Sequence, residues 1–425
     1  MFDQILNRLQ GRRVLILGFG REGKSTLCFL QRHLPDLELG VADLNENAFK
    51  DLNPESRLRL QSGDDYLKAI FDYDVVIKTP GISLKDVDTR DVEITSQTDL
   101  FMSQFHHQTI GITGTKGKST TTSLIFHLLK SSGYDAILTG NIGIPCFDVM
   151  EQISPESIIV YELSAHQLEY VHNSPRVGVL LNVFEEHLDH FGTFERYKRA
   201  KFNLLRFMGD DDFAVVHDSL MWEVLALGVN NVVYSNMDFD IDEDALPLLG
   251  AHNRSNVKAA LCAVGAYGID PQQVIPYLYS FKPLEHRLEL VGTCRGVTFV
   301  NDSISTIPQA TIAACEALGK VDFLLLGGFD RDIDYSPLAV YLAEHPVPHL
   351  LFTGKAGERM MQLVKERGVP SHLVTYHSME EAFEYLWQQA HPGDVCLLSP
   401  AASSYDQYKN FEERGRKFKE LSIKN

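Results

Sequence analysis

Between Gly111 and Thr122 the chain reads GITGTKGKSTTT, small residues leading into a lysine and a row of hydroxyls. Small residues let successive backbone N–H groups turn toward one anion, and a helix starting there adds partial positive charge. In such a loop Lys118 reaches the β- and γ-phosphates of a nucleotide, and the Ser119 hydroxyl faces Mg²⁺. Gly114, Thr115, Lys116, Gly117 and Thr120 complete the cradle. The strict phosphate-loop spacing asks for glycine where this chain has Ile112; its glycines fall at 111 and 114. TIGIT before the loop reads as a strand, and STTTSLIFHLLKSSG after it as a helix closed by Gly133. Those flanks suit the mechanism, so ATP is the expected nucleotide.

A second glycine loop, GFGREG, spans Gly18 to Gly23, and Asp43 follows some twenty residues later. This spacing fits a dinucleotide site. It equally fits another pyrophosphate-bearing nucleotide on a helix N-terminus, or a tight turn under a closely packed helix. Acid and metal candidates follow the ATP loop. Glu162 closes the apolar run of VYELSAHQLE, and Glu185, Glu186 and His187 follow that of VGVLLNV. Lys201 comes next, in a helical pattern. Strand ends beside a loop crevice are where open α/β sheets bind ligands. A Mg²⁺ site there would draw on Glu162 and an oxygen of ATP.

The elements that must carry these residues alternate. VLILG, LELGVADLN and DYDVVIKTPGIS are strands separated by helical stretches such as KSTLCFLQRHL. TIGIT, SIIVYELS and VGVLLNV form a second group, with SNVKAALCAVGAYG as a helix; VDFLLLGG, PHLLFTG and DVCLLSPA form a third. The expected fold is α/β in three domains with largely parallel sheets. Their limits are 1–97, 98–284 and 285–425: a Rossmann-like first domain, a central ATPase domain of phosphate-loop type, and a Rossmann-like third.

Composition narrows the partners. In 425 residues, 39 Lys and Arg against 57 Asp and Glu leave a net charge of −18, which argues against a nucleic-acid partner. Cys28, Cys146, Cys262, Cys294, Cys315 and Cys396 show no CxxC spacing, which fits reduced thiols and argues against a zinc site. No apolar run approaches the ~20 residues of a membrane helix, and the first residues have no signal-peptide pattern. A cytoplasmic protein without membrane insertion is expected.

Nine segments then appear in order: GITGTKGKSTTT, LTGNIGIP, YELSAHQLE, NVFEEHLDHFGTFERYKRAK, GAHNRSNVKAA, EHRLE, FVNDSIST, LLLGGFDRDIDYSPL and LLSPAASSYDQYKNFEERG. Across essentially the whole chain the pattern resembles the Mur ligase family, ATP-dependent amide-forming enzymes of peptidoglycan synthesis. SPAASSYDQYKNFEERG and GFGREG…TPGIS resemble the branch that joins D-glutamate to UDP-N-acetylmuramoyl-L-alanine. The resemblance implies a UDP-sugar domain first, lined by Gly18, Phe19, Gly20, Arg21, Asp43, Thr79, Pro80 and Gly81, with Asn141 also on the substrate. It implies that Ser119, Glu162 and His187 hold Mg²⁺, two ions in all, and that Lys201 is carbamylated into an acid-like metal ligand. Lys118, Lys201, His187 and Glu162 would carry the catalysis. Asn253, Asn256, Arg287 and Asp302 would contact ATP, with domain closure in the cycle. Arg331, Ser404 and Phe411 would meet the glutamate, and the chain would be a monomer.

Two positions depart from the family pattern. Ile304, two places after Asp302, and Arg331 both stand where lysine is common. Arginine still pairs with a carboxylate, whereas isoleucine cannot. NDSIST also resembles a branch that adds L-glutamate, so that enantiomer stays open as the alternative. Folylpolyglutamate synthase shares the ATPase core, but VLILGFGREG before the loop counts against it.

Overall fold

The computed structural model describes residues 2–50, 52, 58–89, 91–248 and 250–423. Its apolar runs become the buried strands of three sheets. The first sheet holds β1 (Arg13–Leu17), β2 (Glu38–Asp43), β3 (Arg59–Ser62), β4 (Val75–Lys78) and β5 (Glu93–Thr95), in the order β3-β2-β1-β4-β5. Every pairing in it is parallel. The strand order reverses between β1 and β4. Chain leaving their carboxyl ends therefore splays to opposite faces and leaves a crevice, with Gly18 after β1 and Thr79 after β4.

The second sheet holds β6 (Thr109–Thr113), β7 (Ala136–Gly140), β8 (Ile158–Glu162), β9 (Val177–Leu180), β10 (Phe213–Val216) and β11 (Asn231–Tyr234). Its order is β11-β10-β9-β6-β8-β7, again wholly parallel. β6, β8 and β9 are buried along their whole length because helices cover both faces, which is why they read as unbroken apolar runs. The third sheet holds β12 (Glu289–Cys294), β13 (Val297–Asn301), β14 (Phe323–Gly327), β15 (His349–Thr353), β16 (His372–Thr375) and β17 (Val395–Leu398), in the order β12-β13-β17-β14-β15-β16. It is parallel except for the β12–β13 hairpin. Three α/β layers match the expected fold class.

The chain packs into two compact units. One comprises Met1–Ala245 and Ser255–Phe281, and the other Leu246–Arg254 and Lys282–Asn425. The first two sheets share a unit because the helix Gln97–Phe105 joins their cores. Its Leu100, Phe101, Met102 and Phe105 belong to one apolar cluster with Val14 and Val75 of the first sheet and Tyr161 and Leu180 of the second.

The helix after β1 spans Arg21–His33, one turn earlier than KSTLCFLQRHL suggests. Gly18, in the turn that leads into it, has φ +92, a conformation that side chains resist. Gly23 lets the helix sit directly on this turn, since a Cβ there would overlap the Gly18 carbonyl oxygen. Gly23→Ala should thus cost about 1–3 kcal/mol in urea unfolding. Gly20, whose added Cβ would meet nothing within 4 Å, should accept alanine at stability close to that of the unaltered protein.

Candidate functional site

Three strand ends converge on the phosphate loop. Gly114 follows β6, Glu162 closes β8, and Asn182 stands just beyond β9. The Thr115 N–H donates to the Asn182 carbonyl at 2.9 Å, and the Lys116 N–H to the Asn182 side chain at 2.8 Å. The Asn182 amide donates back to the Lys116 carbonyl at 3.1 Å. The Thr115 hydroxyl sits 3.0 Å from that of Tyr197 and accepts from the Phe184 N–H at 2.9 Å. Gly117 then adopts φ +86 and caps the helix Lys118–Ser131, so that the helix's free N–H end faces the loop. A Cβ on Gly117 would lie 2.5 Å from the Asn256 side-chain oxygen, so the loop is also closed from that side. Ser119 and Thr120 occupy the first turn of the helix.

Two lysine amines meet at this loop. Lys118 Nζ donates to the Gly114 carbonyl at 2.9 Å and to that of Thr115 at 3.0 Å. Lys201 Nζ donates to the same Gly114 carbonyl at 2.8 Å. Lys201 lies on the helix Phe194–Arg206, capped by the Thr193 side chain. Tyr197, Ala200, Lys201, Leu204 and Leu205 are all buried, the spacing of one core-facing stripe. Position 201 thus falls where an apolar residue is expected. Burial drives the Lys201 amine well below the ordinary lysine pKa, and the Lys118 charge pushes it further down. Both effects favour the neutral amine.

Glu162 is fully buried. One of its oxygens accepts from the Asn141 side chain at 2.7 Å. The other, Oε2, has no hydrogen-bond partner. His187 caps the short helix Leu188–Phe191 with φ +57. Burial lowers its pKa, which favours the neutral, ligating imidazole. Glu186 beside it pairs with Lys116 at 2.6 Å.

In the first sheet's crevice, Asp43 accepts from the Phe19 N–H at 2.6 Å and the Asn45 N–H at 2.8 Å. It therefore braces the Gly18–Gly23 loop. Arg21 donates to the Gly143 carbonyl at 2.8 Å, tying that loop to the GNIGIP segment that carries Asn141. Thr79 is buried beside Gly18, while Gly81 is exposed.

The second unit gathers another set. Asp302 is buried and accepts from the Leu288 N–H at 3.2 Å and the Ser399 hydroxyl at 2.8 Å. Burial raises its pKa to about 6. Arg414, which sequence reading passed over, donates to the Ser303 hydroxyl and carbonyl and to the Ala402 carbonyl. Ser303 in turn donates to the Phe411 carbonyl at 2.8 Å. The Phe329 N–H donates to the Ser403 carbonyl. Of the expected glutamate contacts, Arg331 and Ser404 thereby lie on loops bonded at Phe329 and Ser403, and Phe411 opens the helix Phe411–Ile423, bonded to Ser303. Arg331 is exposed, and its neighbour Asp330 accepts from Arg359 Nη1 at both carboxylate oxygens, each at 2.7 Å. Ile304 donates its N–H to the His286 carbonyl. Asn253 opens the helix Ala251–Tyr267 within this unit, whereas Asn256 belongs to the other.

Comparison with known proteins bears on the whole chain. The Mur ligase middle domain matches residues 112–240, and the Mur ligase glutamate ligase domain residues 286–402. A UDP-N-acetylmuramoylalanine–D-glutamate ligase of Desulfitobacterium hafniense (strain Y51) is 32% identical, covering 97% of this chain and 98% of that protein. The chain belongs to the Mur ligase family. A UDP-N-acetylmuramoyl-L-alanine–L-glutamate ligase of Xanthomonas axonopodis pv. citri is 34% identical over 98% of this chain and 96% of its own length. The MurF ligase of Thermotoga maritima, in complex with ADP, shares the fold at a TM-score of 0.61 and 18% identity, over 99% of this chain and 98% of that one.

The Mur ligase site can be tested against nucleotide and metal on its own residues. A buried carboxylate oxygen without a partner, a neutral imidazole and a loop that only glycine can close fit a magnesium nucleotide. Among the described residues no group of three His, Cys, Asp or Glu side chains converges. The expected ligands, one glutamate, one histidine, a serine and a modified lysine, do not require one. No described helix is long and apolar enough to cross a membrane. Sequence reading missed Asn182 and Tyr197, the two side chains that hold the loop. Asn182 offers a weak signal, a lone amide directly after an apolar strand.

Asp302 gives this Mur ligase a distinct pH response. A carboxyl with a folded pKa above its unfolded value stabilises the fold at low pH and loses that contribution as pH rises through about 6. Its ionised form then costs about 3 kcal/mol. In urea unfolding from pH 4 to 8, Asp302→Asn should be more stable than the unaltered protein above pH 6, and the gap should close toward pH 4.

Proposed function

We propose that the protein is an ATP-dependent ligase that joins glutamate to UDP-N-acetylmuramoyl-L-alanine through an acyl phosphate. What carries this reading is the pair of lysine amines that meet at one phosphate loop, on a sheet whose neighbouring strand ends in a buried glutamate with an orphan oxygen. D-glutamate is the first reading, and Ile304 is the observation that favours L-glutamate as the second. The domain limits 1–97, 98–284 and 285–425 are part of this proposal, as are the residue roles.

The chemistry follows from the charges. A carboxylate is a poor electrophile toward an amine. Attack of one substrate carboxylate oxygen on the γ-phosphorus forms a P–O bond, breaks the bond to the β-phosphate oxygen and releases ADP. The acyl phosphate that results is reactive. The glutamate amine attacks its carbonyl carbon, the C–O bond breaks, phosphate leaves, and the amine gives up its proton. Lys118 offsets charge on the moving phosphoryl group, and the N-terminus of the helix Lys118–Ser131 adds to it. Ser119, Glu162 and His187 would hold magnesium, which when bound supplies further charge neutralisation. Thr79, Pro80, Gly81 and the Gly18–Gly23 loop, with Asp43 as brace, receive the UDP end, and Asn141 orients Glu162 toward the substrate. Asn253, Asn256, Arg287 and Asp302 serve the nucleotide, and Arg331, Ser404 and Phe411 the amino acid.

Lys201 completes the ligand set after modification. Its amine, in the neutral form that burial favours, adds to CO2, an N–C bond forms, and one proton is released, leaving a carbamate where a cation would repel Lys118. Incubation with ¹³C-bicarbonate should give a protein-bound carbamate resonance in NMR, absent from Lys201→Ala.

Phosphate release on mixing ATP, UDP-N-acetylmuramoyl-L-alanine and either D- or L-glutamate tests the reading. One enantiomer should support turnover, and Lys118→Ala should lower kcat by about 10²–10³-fold. Release with neither enantiomer would contradict the proposal.

A further inference from the structure

The Gly18–Gly23 crevice and the phosphate loop belong to different sheets of one unit, and a buried ionic bridge spans them. Lys78 is the last residue of β4, immediately before the turn Thr79–Gly81. Its amine lies 2.9 Å from Glu169 Oε2, within a site that leaves Lys78 almost no exposed surface. The same oxygen lies 3.2 Å from His190 Nε2. His190 stands in the helix Leu188–Phe191, three residues after His187. The His166 ring fills the space between, 4.4 Å from the His190 ring and 4.8 Å from that of His187.

Two further bonds run the same way. The Ser83 hydroxyl donates to the His190 carbonyl at 2.9 Å, and Lys85 Nζ donates to the Asp189 carbonyl at 2.7 Å. Chain leaving β4 is thus strapped to the His187 segment at three points. Glu169 is the carboxylate bonded to Lys78, with Glu22 adding a weaker attraction, and burial alone would drive that amine toward its neutral form. Glu169 keeps both partners on one oxygen, with its own carboxyl held below the usual range by His190 and Lys78 against the opposing effect of burial.

We propose that Glu169 is a positioning residue for the ligation, its one oxygen fixing the substrate turn Thr79–Gly81 against the segment that carries His187. This rests on the ligase reading above. The bridge holds the carboxyl end of the UDP-linked substrate at a set distance from the phosphoryl donor, a distance on which reaction rate depends steeply. No proton moves and no bond is made at Glu169.

A purely stabilising ion pair and a positioning bridge answer differently to loss of both charges. Glu169→Gln leaves Lys78 buried without its bonded counter-charge, so it should melt lower and lose kcat by about 10–100-fold, with the KM for ATP unchanged. Lys78→Met with Glu169→Gln removes the stranded charge and should recover the melting temperature. If Glu169 positions, kcat stays low in the double variant, and Mn²⁺ binding in the presence of AMPPCP, read by EPR, stays weakened. Glu169→Asp, which keeps the charge, should rescue part of kcat. Ser83→Ala, which strands no charge, should lower kcat at an unchanged melting temperature and decides the matter if the double variant does not fold. Recovery of kcat together with stability in the double variant, or full activity of Ser83→Ala, would overturn the proposal. A parent protein that gives no glutamate-dependent phosphate release would instead contradict the ligase reading, leaving the Mn²⁺ comparison to judge the bridge.

Discussion

Two amines that share the carbonyl oxygen of Gly114 cannot both stay charged at low cost, and much of the central site answers to that constraint. Lys118 keeps a partly open position at the helix start, where a polyphosphate would meet it. Lys201 is held out of water on the core-facing stripe of its helix, which disfavours its charged form. A buried amine whose proton is disfavoured, a carboxylate oxygen without a partner and an imidazole held toward its neutral form are poor resting groups but a ready set of ligands. The proposed carbamate turns the least tolerable cation of the site into an anion without moving its backbone.

The frame around that pair is built from strand ends. Parallel sheets send every loop at one edge the same way, so β6, β8 and β9 deliver the phosphate loop, Glu162 and Asn182 together. Asn182 then fastens the loop by three bonds, two of them to Lys116. The first sheet repeats the arrangement at β1 and β4, with Asp43 pinned to the Phe19 amide. Since one apolar cluster runs through both sheets, the two crevices are carried on a single packed body.

Sequence made the middle of each sheet legible, and the edges much less so. VLILG, TIGIT and VDFLLLGG declare themselves because strands covered on both faces need apolar residues throughout. RLQS at β3 and HLVT at β16 are edge strands, half-exposed and short, with no such run to read. The phosphate loop was visible because its chemistry needs glycine, lysine and hydroxyls at fixed spacing. Lys201 could be placed only by family resemblance, since a lysine on an apolar stripe looks like an error until its burial is seen. Contacts such as Glu169 with Lys78, or Arg414 with Ser303, join residues far apart in the chain, and local pattern carries no trace of them. The Asp330–Arg359 pair is another such long-range contact.

In the proposed ligation a substrate carboxylate oxygen becomes covalently bound to the γ-phosphorus. Labelling both carboxylate oxygens of UDP-N-acetylmuramoyl-L-alanine with ¹⁸O and analysing the released phosphate by mass spectrometry tests that directly. One labelled oxygen should appear in each phosphate formed alongside product. Unlabelled phosphate accompanying product, or label found in AMP, would contradict it.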